Sequence, residues 1–149
     1  MSGTIIRKPL DILPLVKRYT NSRQENFLVF TLNGGNQVIK VHHVSKGIVN
    51  KTIVHPRECF FPAIKDNAVA VLFAHNHPSG FVTPSGDDVE ITKRLCMAGK
   101  LLGFYVLDHI IFSKHLYHSL REHGIITDEE CSQSELEHML QGFPLINGK

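Results

Sequence analysis

Apolar and polar positions along the chain change their spacing several times, and each change marks an element. From about Leu10 to Ser22, the apolar side chains Ile12, Leu13, Leu15 and Val16 fall on roughly one face of a helix. Asn26 to Leu32 (NFLVFTL) is dense in β-branched and aromatic residues and predicts a strand. Asn33-Gly34-Gly35-Asn36 tolerates positive φ, so a tight hairpin to a second strand at about Gln37 to Val44 follows. Thr52 to Val54 reads as a further short strand. Pro56 stands where a helix can begin, and Arg57 to Asn67 carries Cys59, Phe60, Ala63 and Ile64 at helical spacing. Ala68 to Ala74 is an unbroken apolar run of strand length, which suits a buried strand. A loop leads to a helix over about Gly86 to Leu101, closed near Gly103. Phe104 to Phe112 (FYVLDHIIF) is another strand, His115 to His123 a short helical turn, and Asp128 to Leu140 an acidic helix. Helices alternate with strands and the first hairpin is antiparallel, so the class is α/β (α+β) with a mixed β-sheet flanked by helices.

At 149 residues the chain reads as one domain, long enough to bury a core without staples. Its 42% hydrophobic and 20% charged content is ordinary for a globular fold. No apolar run reaches membrane-spanning length, and MSGTIIRKPLDIL lacks the apolar centre of a secretory signal. Three cysteines, Cys59, Cys96 and Cys131, are odd in number and form no C-x-x-C. That favours reduced thiols and a cytoplasmic location. A net charge of +2 on scattered basic residues does not announce nucleic acid.

The chemistry concentrates in AHNHPSGFVTPSGDD, residues 74 to 88. Residues two positions apart on a strand share a face, so His75 and His77 can converge on one ion at about 2.0–2.1 Å per nitrogen. Pro78 then ends the strand and places the pair at the sheet edge. Ser85 is the N-cap of the next helix, and Asp88, in its first turn, can face inward as a third ligand. Two histidines and a carboxylate leave a fourth tetrahedral position for water, the arrangement of catalytic zinc, in which the water pKa falls to about 7.

Plainer readings stand beside this one. Ser-x-x-Asp is first of all a capping box, H-x-H is often two satisfied histidines, and Pro-Ser-Gly is turn chemistry wherever it occurs. It is their combination on one strand-loop-helix, H-x-H-P-x6-S-x-x-D, that points to a metal. Asp108-His109, at the end of a strand, is either a core pair or a hydrogen-bonded support for a ligand, with the structural reading ahead. His42 and His43 face opposite ways on the second hairpin strand and read as surface. Cys59 and Cys96 fall at core-facing helical positions and read as small hydrophobes.

The strings HNHPSG, TPS and DD, followed by LLGFYVLDHII, closely resemble RadC-like proteins of the JAB/MPN (JAMM) metalloprotease-like superfamily. The resemblance runs from about Glu25 to Ser119 and includes PRECF at 56–60, leaving an N-terminal helix and an acidic C-terminal tail appended to the core. It implies an MPN/JAB, cytidine-deaminase-like fold, with one zinc ion per chain on His75, His77 and Asp88. Ser85 is implied to steady the oxyanion or bound water. A glutamate acts as general base in the superfamily; Glu25, just before NFLVF, is favoured, with Glu58 of PRECF as competitor. Longer family members carry an amino-terminal helical domain resembling helix-hairpin-helix DNA-binding modules, and here only one helix precedes the core.

Three functions follow as expectations. The first is a zinc-dependent metallopeptidase or isopeptidase acting on a peptide or isopeptide-linked protein. The second is a DNA-repair-associated binding factor or metal-dependent nuclease, disfavoured by the dispersed basic residues. The third is a non-catalytic scaffold, disfavoured because every ligand residue is present.

Overall fold

The computed structural model describes residues 3–46 and 54–129, together with Ser134, Glu137, His138 and Gln141. A five-stranded mixed sheet forms its centre. The strands are β1 (Asn26–Leu32), β2 (Val38–Lys46), β3 (Ala70–Asn76), β4 (Tyr105–Phe112) and β5 (Tyr117–Ser119), in the order β2-β1-β3-β4-β5. β1 runs antiparallel to both β2 and β3, β4 is parallel to β3, and β5 returns antiparallel to β4. Two helices, α1 (Pro56–Lys65) and α2 (Gly86–Leu102), complete the core.

The β1–β2 hairpin closes as the Asn-Gly-Gly-Asn string predicts. Asn33 Oδ1 accepts from the amides of Gly35 and Gln37, each at 3.0 Å, and Asn36 adopts φ 58°. The run Ala68–Ala74 does enter the sheet as a buried central strand, although its first turn of chain stays outside and Val69 is 54% exposed. Period-2 alternation then divides the core in two. One face of the sheet carries Leu28, Phe30, Leu72, Ala74, Ile110 and Phe112 under the N-terminal segment. The other carries Phe27, Val29, Val71, Phe73 and Ile111 beneath α1 and α2, which contribute Cys59, Phe60 and Leu95. Ile64, expected with the core face of α1, is instead 60% exposed. α2 ends at Gly103, whose φ of 86° is the left-handed conformation that a glycine cap allows.

Two elements differ from expectation. The predicted helix over Leu10 to Ser22 is two 3-10 segments, Pro9–Leu15 and Lys17–Tyr19, held by i to i+3 bonds such as Val16 N–H to Leu13 O. Pro14 has no amide to give to an α-helical ladder, which favours the tighter turn. Ile12 and Val16 are nonetheless fully buried, as the apolar spacing predicts. His115 to His123 is not a helical turn throughout: Tyr117–Ser119 pairs with β4 as a strand, after a turn closed by Ser113 N–H on Leu116 O. Thr52, Ile53 and Cys131 lie outside the described residues, as does most of the Asp128–Leu140 segment; of its described members, Asp128 and Glu129 lie in a bend and Ser134, Glu137 and His138 are helical. No helix among the described residues is long and apolar enough to cross a membrane.

Candidate metal centre

Topology brings the conspicuous residues together. β3 and β4 are parallel, so the chain crosses back through α2, whose N-terminus therefore sits at the carboxyl end of β3, where clefts form in such sheets. β1 is antiparallel to β3, so its start, at Glu25, lies beside the same end. The histidine pair thus stands at the end of a central strand, not at the sheet edge. Asn76, between the two histidines, fixes the approach to β1. Its Oδ1 accepts the Asn26 amide at 2.8 Å and its amide donates to Gln24 O at 3.0 Å, so it clasps the chain on both sides of Glu25.

Four side chains meet here. Nε2 of His75 and Nε2 of His77 are 3.2 Å apart. Asp88 brings Oδ1 to 3.2 Å from His75 Nε2 and Oδ2 to 2.9 Å from His77 Nε2. Glu25 Oε1 stands at 3.9 Å from His77 Nε2, and Glu25, His75 and His77 together offer three ligand atoms within 4.8 Å of one another. Glu58 is exposed in the first turn of α1. The capping reading of Ser-x-x-Asp holds as well: Ser85 Oγ accepts the Asp88 amide at 3.0 Å, and Asp88 Oδ2 accepts the Ser85 amide at 2.9 Å. The cap and the cluster share one carboxylate, so the cap aims Asp88 at the histidines.

Counting protons shows what the cluster lacks. The Thr92 hydroxyl has a single hydrogen, donated to Asp88 O at 2.6 Å. Thr92 Oγ1 must therefore accept from His109 Nδ1, 2.5 Å away, which leaves His109 Nε2 a bare acceptor. That acceptor receives Nδ1–H of His75 at 2.8 Å, so Nε2 of a neutral His75 bears a lone pair. His77 reaches the same state more simply, because its Nδ1 lies 3.0 Å from Phe81 O, which can only accept. Two nitrogen lone pairs and a carboxylate thus converge with no hydrogen among them. Such a set is well matched to a positive occupant.

The electrostatics describe the alternative, in which a ring nitrogen does carry a proton. Burial pushes the Asp88 carboxyl up, but hydrogen bonding to the His75 and His77 rings outweighs it and holds the group well below the usual carboxylate range. The same bond to Asp88 raises His77, against its burial. A proton on His77 is one way to fill the demand, and a metal ion is another. Around a tetrahedral zinc with ligands at about 2.0–2.1 Å, ligand atoms stand roughly 3.3 Å from one another. The 2.9–3.2 Å separations are close to that figure, so these residues fit a metal without large movement.

Asp108 and His109 divide their roles. Burial pushes Asp108 above its ordinary range, yet its carboxylate accepts from Ser119 Oγ, His109 N and Arg121 N and closes a cluster on the opposite face. His109 is fully buried against His75; burial, reinforced by His75, pushes its pKa far down and keeps it neutral. His42, expected at the surface, is half-buried and lies 2.6 Å from Asp66, which also accepts from Thr31 at 2.7 Å. Cys59 fits the small-hydrophobe reading, its thiol pushed up to about 12 by burial and then by Glu58. Thr92 and Asn76 carry support that motif reading passes over. The signal for Thr92 was its place four residues after Asp88, on the same helix face.

Residues 6–125 match the family model described as RadC-like JAB domain. Similar curated proteins carry the name UPF0758 protein. One from Desulfitobacterium hafniense is 44% identical over 125 residues, covering 82% of this chain and 54% of its own length. One from Trichlorobacter lovleyi is 49% identical over 106 residues, with 71% and 46% covered. One from Methanospirillum hungatei is 44% identical over 123 residues, with 81% and 55% covered. The chain spans about half the length of the curated relatives it matches.

Proposed function

This chain belongs to the RadC-like JAB domain family, and from that premise we propose that it is a zinc-dependent hydrolase that cleaves an amide bond in a peptide or isopeptide-linked protein. The observation that carries the reading is the convergence of His75 Nε2, His77 Nε2 and the Asp88 carboxylate within 2.9–3.2 Å. These three side chains would hold the ion. When bound, zinc makes water nucleophilic near neutral pH and polarises the scissile carbonyl.

The remaining work falls to the chain. Glu25, at 3.9 Å from His77 Nε2, is within one water of the cluster, the reach a general base needs. It takes the proton of the attacking water and returns it to the leaving amine. Asn76, clasping Gln24 and Asn26, keeps the Glu25 carboxylate at that distance. Ser85 accepts the Asp88 amide and so retains its own O–H to donate to the oxyanion. Loss of such a donor in other enzymes costs about 2.7–4 kcal/mol. Phe81, 72% exposed on the loop that bonds His77, gives substrate an apolar rim.

The test is a panel of fluorogenic peptides and isopeptide-linked conjugates assayed with zinc-loaded protein and with Glu25→Gln. The expected result is turnover that falls by about 10²–10⁴-fold in Glu25→Gln while zinc stays bound. Equal turnover in both proteins, or none across the panel, counts against the reading.

A further inference from the structure

Three elements are joined behind the cluster by one directed chain of hydrogen bonds. It starts on α2, where the Thr92 hydroxyl donates to Asp88 O at 2.6 Å. It crosses to β4 through His109 Nδ1 and Thr92 Oγ1, 2.5 Å apart. It ends on β3, where His109 Nε2 lies 2.8 Å from Nδ1 of His75. Thr92, His109 and His75 are 1%, 0% and 2% exposed, so bulk water does not supply substitute partners. Phe27 and Phe73 close around the rings: Phe27 stacks on His75 at 5.9 Å between centroids, and Phe73 meets His109 edge-on at 6.2 Å.

The direction of this chain is fixed at its far end. A backbone carbonyl cannot donate, so the hydroxyl hydrogen points at Asp88 O and each following bond must run the same way. Were the hydroxyl absent, His109 Nδ1–H would face no acceptor in an apolar pocket. The other tautomer, with the hydrogen on Nε2, would then be favoured. It would donate to His75 Nδ1 and drive the His75 hydrogen onto Nε2, where it blocks a metal. We propose that Thr92 and His109 are positioning residues: together they lock His75 in the Nδ1–H tautomer and so present its Nε2 lone pair to the metal. The relay also ties His75 to the main chain of Asp88, so two of the three proposed ligands share one support. It thereby assigns a role to His109, the member of the Asp108-His109 pair that faces the cluster and that the hydrolytic reading leaves unused.

This inference rests on the metal reading above, and its test separates the two. Thr92→Val keeps the side-chain shape and removes the hydroxyl; Thr92→Ser keeps the hydroxyl and removes the methyl. Histidine tautomers are read in metal-free protein from long-range proton–nitrogen correlation spectra. Zinc affinity is read by competition with a chromophoric chelator. The expected result is Nδ1–H on His75 in the parent and Thr92→Ser, lost in Thr92→Val. Zinc binding should weaken in Thr92→Val by about 10–100-fold, the usual cost of removing a ligand's hydrogen-bonded support, and stay near the parent value in Thr92→Ser. An unchanged His75 tautomer with parental zinc affinity in Thr92→Val overturns the inference. So does equal weakening in both variants, which would mark a packing role for the methyl. If the tautomer shifts as expected but no protein binds zinc, the relay stands and the metal reading falls.

Discussion

Two polar clusters touch β4 through neighbouring residues, Asp108 on one face and His109 on the other, and they are opposite in character. Around Asp108 the carboxylate is matched by donors from Ser119, His109 N and Arg121 N, so the cluster is closed. Around His75 and His77 the acceptors meet with no donor between them, so the cluster is open toward a cation. Both are built from residue types that suggest chemistry. The difference teaches that a donor count, and not residue identity, separates a structural polar cluster from a site.

The contrast can be broken most sharply at Asp108. Asp108→Ala strands several buried donors and should cost roughly 3–5 kcal/mol in urea unfolding. The fraction that stays folded should still bind zinc. If Asp108→Ala is nearly neutral, the cluster is not closed in the sense argued here.

His77→Ala should behave in the opposite way. Metal-free stability should change by less than about 1 kcal/mol, because the acceptor left open at Nε2 goes with the ring and the bond lost from Nδ1 to Phe81 O is an exposed one. Zinc at a hundred times its dissociation constant should stabilise the parent by about 2.7 kcal/mol and leave His77→Ala unmoved. A large loss of metal-free stability in His77→Ala would show that the open cluster is structural after all.

A third cluster, Asp66 with His42 and Thr31, is closed but reaches the surface, and it sharpens the comparison by pH. Burial pushes Asp66 up, but hydrogen bonds from His42 and Thr31, with the His42 and Lys40 charges, hold it below its ordinary value. A depressed carboxylate contributes stability that is present above its unfolded pKa of about 3.9 and is lost as pH falls through the folded value. Asp66→Ala should cost about 1–2 kcal/mol at pH 7 and progressively less below about pH 4. A pH-independent difference between the two proteins would contradict this.

Ser85→Ala should cost about 1 kcal/mol in stability for a lost N-cap. If Ser85 also serves the oxyanion, turnover should fall about 10²–10³-fold, far more than the cap alone explains. A loss of stability without a loss of turnover leaves Ser85 as a cap.

Much of this was legible in the residues. NFLVFTL and the Ala68–Ala74 run announced strands, and H-x-H followed by S-x-x-D announced the cluster, because both patterns are local and strongly periodic. The match over residues 6–125 bears out the resemblance drawn from those strings. Two things escaped. The 3-10 form of the N-terminal segment was set by Pro14, whose missing amide the apolar spacing of Ile12 and Val16 did not register. The relay and the clasp escaped because their partners are far apart in sequence: His75 with His109 and Asn26 with Asn76, brought together only by strand order.

The most direct test of the open cluster is the zinc content of purified, tag-free protein and of His77→Ala, measured by elemental mass spectrometry after dialysis with zinc. One ion per chain in the parent and none in His77→Ala is the predicted result. No zinc in either protein would contradict the metal centre and leave His77 and Asp88 as a capped loop carrying its own proton.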